Sequence, residues 1–196
     1  MAAELNSFEL KLATSTDWVD AVMTDFDHFL LDHAAAEKKA ASMALTMVSH
    51  YPDRTVLVSK MTDLAVEELT HFRAVTKLVI ERGLTLAADE KDPYVNQIRA
   101  AMRRGRDPFL IDRLLVGGII EARGAERFGL VADALPAGPL KRFYRSITRS
   151  EKNHKTLFVD LAFLYAEHAV VRQRLDELLT IEAAIVAELP IRSALH

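Results

Sequence analysis

The sequence predicts an all-α protein, and three observations lead to this fold class. Apolar residues recur at steps of three and four along almost the whole chain, and no segment sustains the alternation of a β-strand. Seven Gly and six Pro in 196 residues are too few for the many turns of an all-β protein. The length suits one well-buried core, so we expect a single domain over residues 1–196.

The first two helices are predicted to form a hairpin. One begins near Thr16, kinks around residues 25–27 and ends at His50, before the helix-breaking residues 51–53. The other covers about residues 54–82, with Asp53 as its candidate N-cap and Gly83 as its stop.

A long crossover and a second helical hairpin follow. Residues 84–106 are too many for a tight turn and contain a short helix opened by Asp92-Pro93, a typical pairing of N-cap and first helical residue. Asp107-Pro108 repeats this start signal for a helix that reaches about Leu135. Residues 136–139 form the turn into a fourth helix ending near His168, and a last helix covers 170–189.

The predicted topology is therefore two helical hairpins joined by one long connection. A simple up-down bundle would have only short loops, whereas one long crossover is described for ferritin-like bundles. The expected fold is a ferritin-like four-helix bundle with one long crossover plus accessory helices.

Composition excludes several classes of function. The chain has no cysteine, so disulfides, zinc fingers and thiolate-bound iron-sulfur clusters are excluded, and any metal must use His and carboxylate ligands. Residues 1–11 do not resemble a secretory signal, and no apolar run approaches the roughly 18 residues that span a bilayer. We expect a cytoplasmic protein without membrane contact.

Two Glu-x-x-His motifs carry the candidate chemistry, with Glu68 and His71 in the second helix and Glu151 and His154 in the fourth. Residues three apart share one face of a helix, so each motif places a carboxylate beside an imidazole. The motif alone is weak evidence, because its residue types are common in this chain.

Partner glutamates make the pattern specific. Glu37 precedes Glu68 by 31 residues and Glu121 precedes Glu151 by 30, so a Glu and Glu-x-x-His unit occurs twice. At about 1.5 Å per residue, all four carboxylates lie roughly 22 Å from their own hairpin turn. They also fall on the apolar stripes of their helices. These stripes consist of Leu30, Ala34, Ala41, Ala44 and Val48 on the first helix, of Leu64, Val75 and Leu78 on the second, of Leu114, Gly117, Ala125, Phe128 and Ala132 on the third, and of Ile147, Phe158, Leu161 and Tyr165 on the fourth.

Buried carboxylates at one level predict a pair of cations. Four such groups without counterions would repel one another and would each lose several kcal/mol of solvation, whereas two divalent ions balance their charge. Oxygen and imidazole ligands suit iron or manganese, and this ligand pattern is that of di-iron or di-manganese carboxylate proteins. His33, one turn before Glu37, is a candidate support for that ligand.

The flanks of these motifs resemble one family. The runs 120–128 (IEARGAERF), 67–72 (EELTHF) and 151–154 (EKNH) are similar to the MiaE family of tRNA hydroxylases, and the similarity extends over nearly the whole chain. The resemblance implies oxygen-dependent hydroxylation of the isopentenyl group of 2-methylthio-N6-isopentenyladenosine in tRNA. It implies two Fe ions, dioxygen as co-substrate and an external electron donor, such as a reductase or ferredoxin. The implied iron ligands are Glu37, Glu68, His71, Glu121, Glu151 and His154.

Two clusters of basic residues are candidate tRNA contacts, although a solvated helix face is an equal alternative for each. The first lies in the crossover, and the second forms a stripe on the fourth helix, away from the ligands. Tyr94 and Phe109 are candidates to stack on a base. The clusters consist of Arg99, Arg103, Arg104 and Arg106, and of Lys141, Arg142, Arg145, Arg149 and Lys152.

The sequence is also compatible with two other classes of function. A ferritin, rubrerythrin or manganese-catalase type of protein uses the same ligands to oxidise iron or handle peroxide, and a metal-free helical interaction module is a third alternative. Arg123 and Arg127, one turn apart beside Glu121, are expected to form structural ion pairs, and contact with the nucleotide is the alternative. The sequence leaves the oligomeric state open.

Overall fold

A computed structural model describes residues 8–196, and all regular secondary structure in this part of the chain is helical. The predicted absence of a secretory signal concerns residues 1–11, of which 1–7 lie outside the described residues. None of the helices within 8–196 is long and apolar enough to cross a membrane. The helices are α1 (Thr16–Thr24), α2 (Phe26–His50), α3 (Thr55–Glu81), α4 (Pro93–Ala100), α5 (Arg106–Ala134), α6 (Pro139–Tyr165) and α7 (His168–Glu188).

The chain forms two compact units, and one of them comprises Asp20–Glu90 with Arg192–Leu195. Its main feature is the hairpin in which α2 packs against α3. The predicted kink before α2 is confirmed, because Asp25 ends α1 and caps α2 by accepting a hydrogen bond from the backbone N–H of His28.

The ends of α3 show one correct prediction and one wrong one. Gly83 follows the helix with φ of 74°, the left-handed conformation expected at a glycine stop. Asp53 is not the N-cap, because Arg54 occupies that position and no side chain caps the helix. The Asp53 carboxylate instead lies 3.8 Å from the guanidinium of Arg54.

The other unit comprises the described residues of 1–19, together with 91–191 and 196. In it α5 and α6 form the second hairpin, and α4 and α7 pack against α5. Asp92 caps α4 as predicted and accepts a hydrogen bond from the N–H of Val95 at 3.0 Å.

Two other predicted boundaries in this unit are wrong. Helix α5 begins at Arg106 rather than at Pro108, because Gly105 adopts φ of 96° and already turns the chain into the helix. Helix α6 ends at Tyr165, three residues before His168, because Ala166 and Glu167 have extended backbone conformations.

The predicted apolar stripes are the buried faces of the hairpin helices. The stripe on α5 is buried throughout, including Gly117. On the other three helices all predicted positions are buried except Val48, Leu78 and Tyr165, which lie near helix ends and are partly exposed. The pattern of apolar residues therefore identified which face of each helix carries the candidate ligands.

Candidate metal centre

The α2/α3 hairpin brings together three of the six predicted ligands. Glu37 on α2 and Glu68 and His71 on α3 each offer a ligand atom, and these atoms lie within 4.8 Å of one another. The two glutamates are buried, with 4% and 1% of their surface exposed. The His71 side chain is more accessible, at 13%.

Both oxygens of Glu37 have imidazole neighbours. Oε1 lies 2.6 Å from Nε2 of His33, one turn earlier on α2, and Oε2 lies 3.5 Å from Nδ1 of His71. The same His71 nitrogen lies 3.3 Å from Oε2 of Glu68. His33 is fully buried, so it holds the Glu37 carboxylate as the sequence predicted.

These contacts shift the protonation of the triad. Burial alone would raise the pKa of Glu37, but hydrogen bonds from His33 and His71 outweigh it and hold that pKa far below its usual range. Burial would lower the pKa of His71, but the carboxylates of Glu37 and Glu68 raise it to about 9. The His71 imidazole is therefore protonated at neutral pH. A metal ion that binds through this imidazole must displace the proton.

The α5/α6 hairpin carries the second triad. Glu121 on α5 and Glu151 and His154 on α6 also offer ligand atoms within 4.8 Å of one another. All three residues are buried, with 8%, 3% and 3% of their surface exposed. Nδ1 of His154 lies 3.3 Å from Oε2 of Glu151.

The two triads repeat one geometry. In each Glu-x-x-His motif the histidine Nδ1 lies 3.3 Å from the glutamate Oε2, and in each hairpin the third member comes from the preceding helix. The sequence repeat thus corresponds to a structural repeat.

The donor chemistry of each triad fits a divalent metal. Two carboxylates and one imidazole supply oxygen and nitrogen donors without sulfur, the set preferred by iron and manganese. A bound cation would offset the charge that two buried carboxylates concentrate in one hairpin. The residues present therefore fit the group that this pattern implies.

Behind Glu121, a buried ionic network anchors α5. Arg123 is fully buried and donates hydrogen bonds to both carboxylate oxygens of Glu182 on α7, at 2.9 and 3.1 Å. It also pairs with Glu126 and donates to the Thr14 hydroxyl. The expected structural pairing of Arg123 is confirmed.

Arg127 extends this network toward the N-terminal segment. Its guanidinium lies 4.9 Å from the centre of the Trp18 ring. Burial, together with the charge of Arg123, lowers its pKa to about 10.

Sequence reasoning missed Glu182, although a signal was present. It interrupts the apolar stripe of α7 formed by Leu175, Leu178, Leu179 and Ile185. A lone carboxylate on such a stripe requires a buried cationic partner, and Arg123 is that partner.

The candidate RNA contacts differ in availability. Tyr94 is buried, donates its hydroxyl to Glu182 and stacks on His196 at 4.9 Å between ring centroids. The expectation that it stacks on a base is therefore wrong. Arg103 remains 41% exposed, but its guanidinium is held by the buried carboxylate of Asp112, which Arg174 also contacts.

The remaining basic candidates are exposed except Lys141, which is half-buried. Arg145 is exposed and pairs with Asp133. The others, Arg99, Arg104, Arg106, Arg142, Arg149 and Lys152, are exposed on the crossover or on α6.

The fold and the triads define a class of protein: a ferritin-like, all-helical chain whose buried carboxylates and histidines fit a di-iron site. A solved structure supports this class. The chain aligns with Protein 43 with aldehyde deformylating oxygenase activity from Synechococcus at a TM-score of 0.92, with 30% identity, covering 97% of this chain and 96% of that one. The predicted ferritin-like bundle with one long crossover and accessory helices is confirmed.

Comparison with protein families places the chain in a narrower group within this class. The family model tRNA-(MS[2]IO[6]A)-hydroxylase (MiaE) matches residues 1–196. The chain belongs to the MiaE family.

Two curated relatives agree with this membership, and both are named "tRNA 2-(methylsulfanyl)-N(6)-isopentenyladenosine(37) hydroxylase". The Pseudomonas putida protein is 35% identical over 85% of this chain and 80% of its own length. The Salmonella typhimurium protein is 32% identical over 67% of this chain, a match that spans 48% of the relative.

Proposed function

We propose that this protein is an oxygen-dependent, non-haem di-iron monooxygenase that hydroxylates the isopentenyl group of 2-methylthio-N6-isopentenyladenosine in tRNA. The observation that carries the proposal is the duplicated triad of two glutamates and one histidine, present in full in a chain that the MiaE family model matches from end to end. The names of both curated relatives describe this reaction.

In this proposal the two triads together hold two Fe ions. The ligands are Glu37, Glu68 and His71 from one hairpin and Glu121, Glu151 and His154 from the other. Their equivalent distances from the hairpin turns support this arrangement, as does the resulting balance of four carboxylate charges by two divalent ions. When bound and reduced, an iron pair supplies electrons that activate dioxygen.

The protein's own residues prepare this chemistry. Buried glutamates fix the ligand positions, and the apolar residues on the same stripes exclude bulk water from the ligand atoms. His33 holds one oxygen of Glu37, so the carboxylate is oriented before a metal arrives.

The reaction needs a co-substrate and a partner. Inserting one atom of dioxygen into a C–H bond and reducing the other to water consumes two electrons and two protons. An external donor, a reductase or ferredoxin, would supply the electrons, and we expect the protein to act in the cytoplasm, where tRNA is modified. Unpaired bases of an anticodon loop can be splayed out of their stack toward a buried site.

The deciding experiment incubates the reduced, iron-loaded protein with oxygen and tRNA carrying the modified adenosine. We expect nucleoside mass analysis to show a gain of one oxygen atom, and no gain for Glu121→Ala. If the tRNA gains no oxygen while the protein rapidly oxidises iron or breaks down peroxide, the activity is instead of the ferritin, rubrerythrin or manganese-catalase type.

The interaction-module alternative is tested by metal content. If the chain were only a helical interaction module, Glu121→Ala would leave the bound iron unchanged. We expect that variant to lose iron, measured per protein after reconstitution and desalting.

A further inference from the structure

A row of cationic side chains lines a cleft beside the turn between α5 and α6. Lys141, Arg142, Arg145 and Arg149 line it together with Ala137 and Gly138, and this cleft, which is open to solvent, has a volume of about 440 Å³. No acidic residue occurs between Asp133 and Glu151 in the sequence. The cleft therefore has strongly positive walls in a chain whose formal net charge is −3.

Two of these cations are held by the end of α5. Lys141 donates hydrogen bonds to the backbone carbonyls of Asp133 and Leu135, at 3.2 and 3.0 Å. Arg145 pairs with the Asp133 carboxylate. These contacts fix one wall of the cleft.

The other two cations are available to a ligand. Arg142 and Arg149 are exposed, and no carboxylate among residues 8–196 pairs with either of them. They lie seven residues apart on α6, or about 10 Å along the helix axis, with Arg145 between them. This spacing presents a line of charge rather than a single anion site.

We infer that this row binds the sugar-phosphate backbone of the substrate tRNA, an inference that rests on the proposed function. Guanidinium groups match phosphate oxygens bidentately, and a line of them follows successive phosphates. In each basic cluster a carboxylate holds one arginine, Arg103 by Asp112 and Arg145 by Asp133. The row on α6 also lines a cleft beside the turn between α5 and α6.

The position of the row on α6 defines its role. Arg149 precedes Glu151 by two residues, which is about 200° around the helix, and Arg142 lies about 180° from Glu151. The row therefore faces away from the candidate ligands Glu151 and His154. It contacts backbone remote from the reacting nucleotide, so its loss affects tRNA affinity rather than turnover of bound tRNA.

The test compares the iron-loaded wild type with the double variant Arg142→Ala/Arg149→Ala, using modified tRNA as the probe. We expect Kd and KM for tRNA to rise about tenfold or more. The slope of log affinity against log salt should fall by about 0.7–0.9 for each lost phosphate contact. Iron content and kcat at saturating tRNA should stay at the wild-type values.

Matched variants separate specific contacts from net charge. Lys60→Ala/Lys77→Ala removes the same charge from exposed sites on α3 and should bind tRNA as the wild type does. Arg142→Lys/Arg149→Lys should retain the salt dependence and recover most of the affinity, because phosphate contacts by ammonium groups remain.

Unchanged tRNA affinity and salt slope in the alanine variant would overturn the inference, even if the wild type hydroxylates tRNA. A second outcome would also overturn the inference: the alanine variant binds tRNA normally but loses turnover only when a protein electron donor replaces a chemical reductant. The row would then bind an acidic protein instead of tRNA. Failure of the wild type to hydroxylate would instead refute the proposed function, while the binding data remain a test of the row.

Discussion

His33 shows how one buried side chain prepares a carboxylate for metal binding. Its Nε2 lies 2.6 Å from Oε1 of Glu37, and the residue is fully buried. The contact leaves Oε2 of Glu37 facing the imidazole of His71. Glu37 is therefore fixed in orientation from the side opposite its partner in the triad.

We predict that His33→Phe weakens iron binding about 10–100-fold, because partners that orient metal ligands typically contribute this much. Chelator competition with the reduced protein measures the affinity. His33→Gln keeps a hydrogen-bond donor and should recover part of the loss.

The control is His50→Phe, an exposed change on the same helix, which should leave iron affinity unaltered. If His33→Phe bound iron as tightly as the wild type, the hydrogen bond to Glu37 would have no role in the site.

Arg123 and Glu182 illustrate what single residues reveal before a structure is available. The motif containing Arg123 carries the family resemblance, and its burial in a network with Glu182 and Glu126 explains that part of the motif as support for α5. The sequence predicted an ion pair for Arg123. It did not identify Glu182, because that residue lies 59 positions away and only packing of α7 on α5 brings the two together.

At the scale of elements, the α5/α6 hairpin depends on a close approach at Gly117. A Cβ atom added there would lie 2.9–3.1 Å from three atoms of the Phe158 ring. Gly117 precedes Glu121 by one turn of α5, and Phe158 follows His154 by one turn of α6. Helix separation at this contact therefore sets the spacing of the second triad.

Gly117→Ala should lower the free energy of unfolding by about 1–3 kcal/mol, the usual effect of overpacking. It should also lower iron occupancy, because the helices must separate beside the ligands. Urea unfolding of the metal-free protein and metal analysis after reconstitution measure the two effects.

Gly124→Ala on the same helix is the matched control. Its Cβ would lie 3.8 Å from Phe128, an ordinary contact, so the higher helix propensity of Ala should stabilise the protein by about 0.5–1 kcal/mol. Equal losses in both variants would show that helix spacing at Gly117 is not the cause.

The elements also show which local signals are dependable. Periodicity placed the four hairpin helices and their buried faces, and the Asp92-Pro93 start and the Gly83 stop are both confirmed. Asp53 and Asp107 carried the same type of start signal and were wrong. At α5, Gly105 adopts a positive φ and starts the helix two residues earlier than its Pro108 suggested.

At the scale of the whole molecule, Asp92 contacts His196, the last residue of the sequence. Its carboxylate lies 3.2 Å from Nδ1 of His196, whose ring stacks on Tyr94. Burial would raise the pKa of Asp92, but His196 and the backbone N–H groups of Val95 and Tyr94 lower it to about 2. A contact spanning 104 positions thus stabilises the start of α4.

The shift in pKa predicts how stability depends on pH. The folded-state pKa of Asp92, about 2, lies below the unfolded value of 3.8. The ionised Asp92 carboxylate therefore adds about 2 kcal/mol to the free energy of unfolding at pH values above the unfolded-state pKa. This contribution is lost as the pH falls toward the folded-state pKa.

His196→Phe keeps a ring on Tyr94 but removes the partner of Asp92. We expect this variant to be less stable than the wild type by about 1–2 kcal/mol at pH 5, with the difference shrinking toward pH 2. Asp92→Asn keeps an N-cap and should lose the acid dependence in the same window. Parallel pH profiles for all three proteins, measured by urea unfolding, would contradict the assignment.

The sequence by itself determined the helices, their buried faces and the pairing of each Glu-x-x-His motif with a glutamate on the preceding helix. These features follow from the 3.6-residue period and from the short turns within each hairpin, which are local properties of the chain. Tertiary structure decided which polar residues meet at long range: His196 with Asp92, Glu182 with Arg123, and Asp112 with Arg174. Such pairs depend on the packing of distant helices, and no sequence spacing encodes that packing. Tyr94 is therefore part of the core rather than available to a base, whereas Arg142 and Arg149 are left exposed.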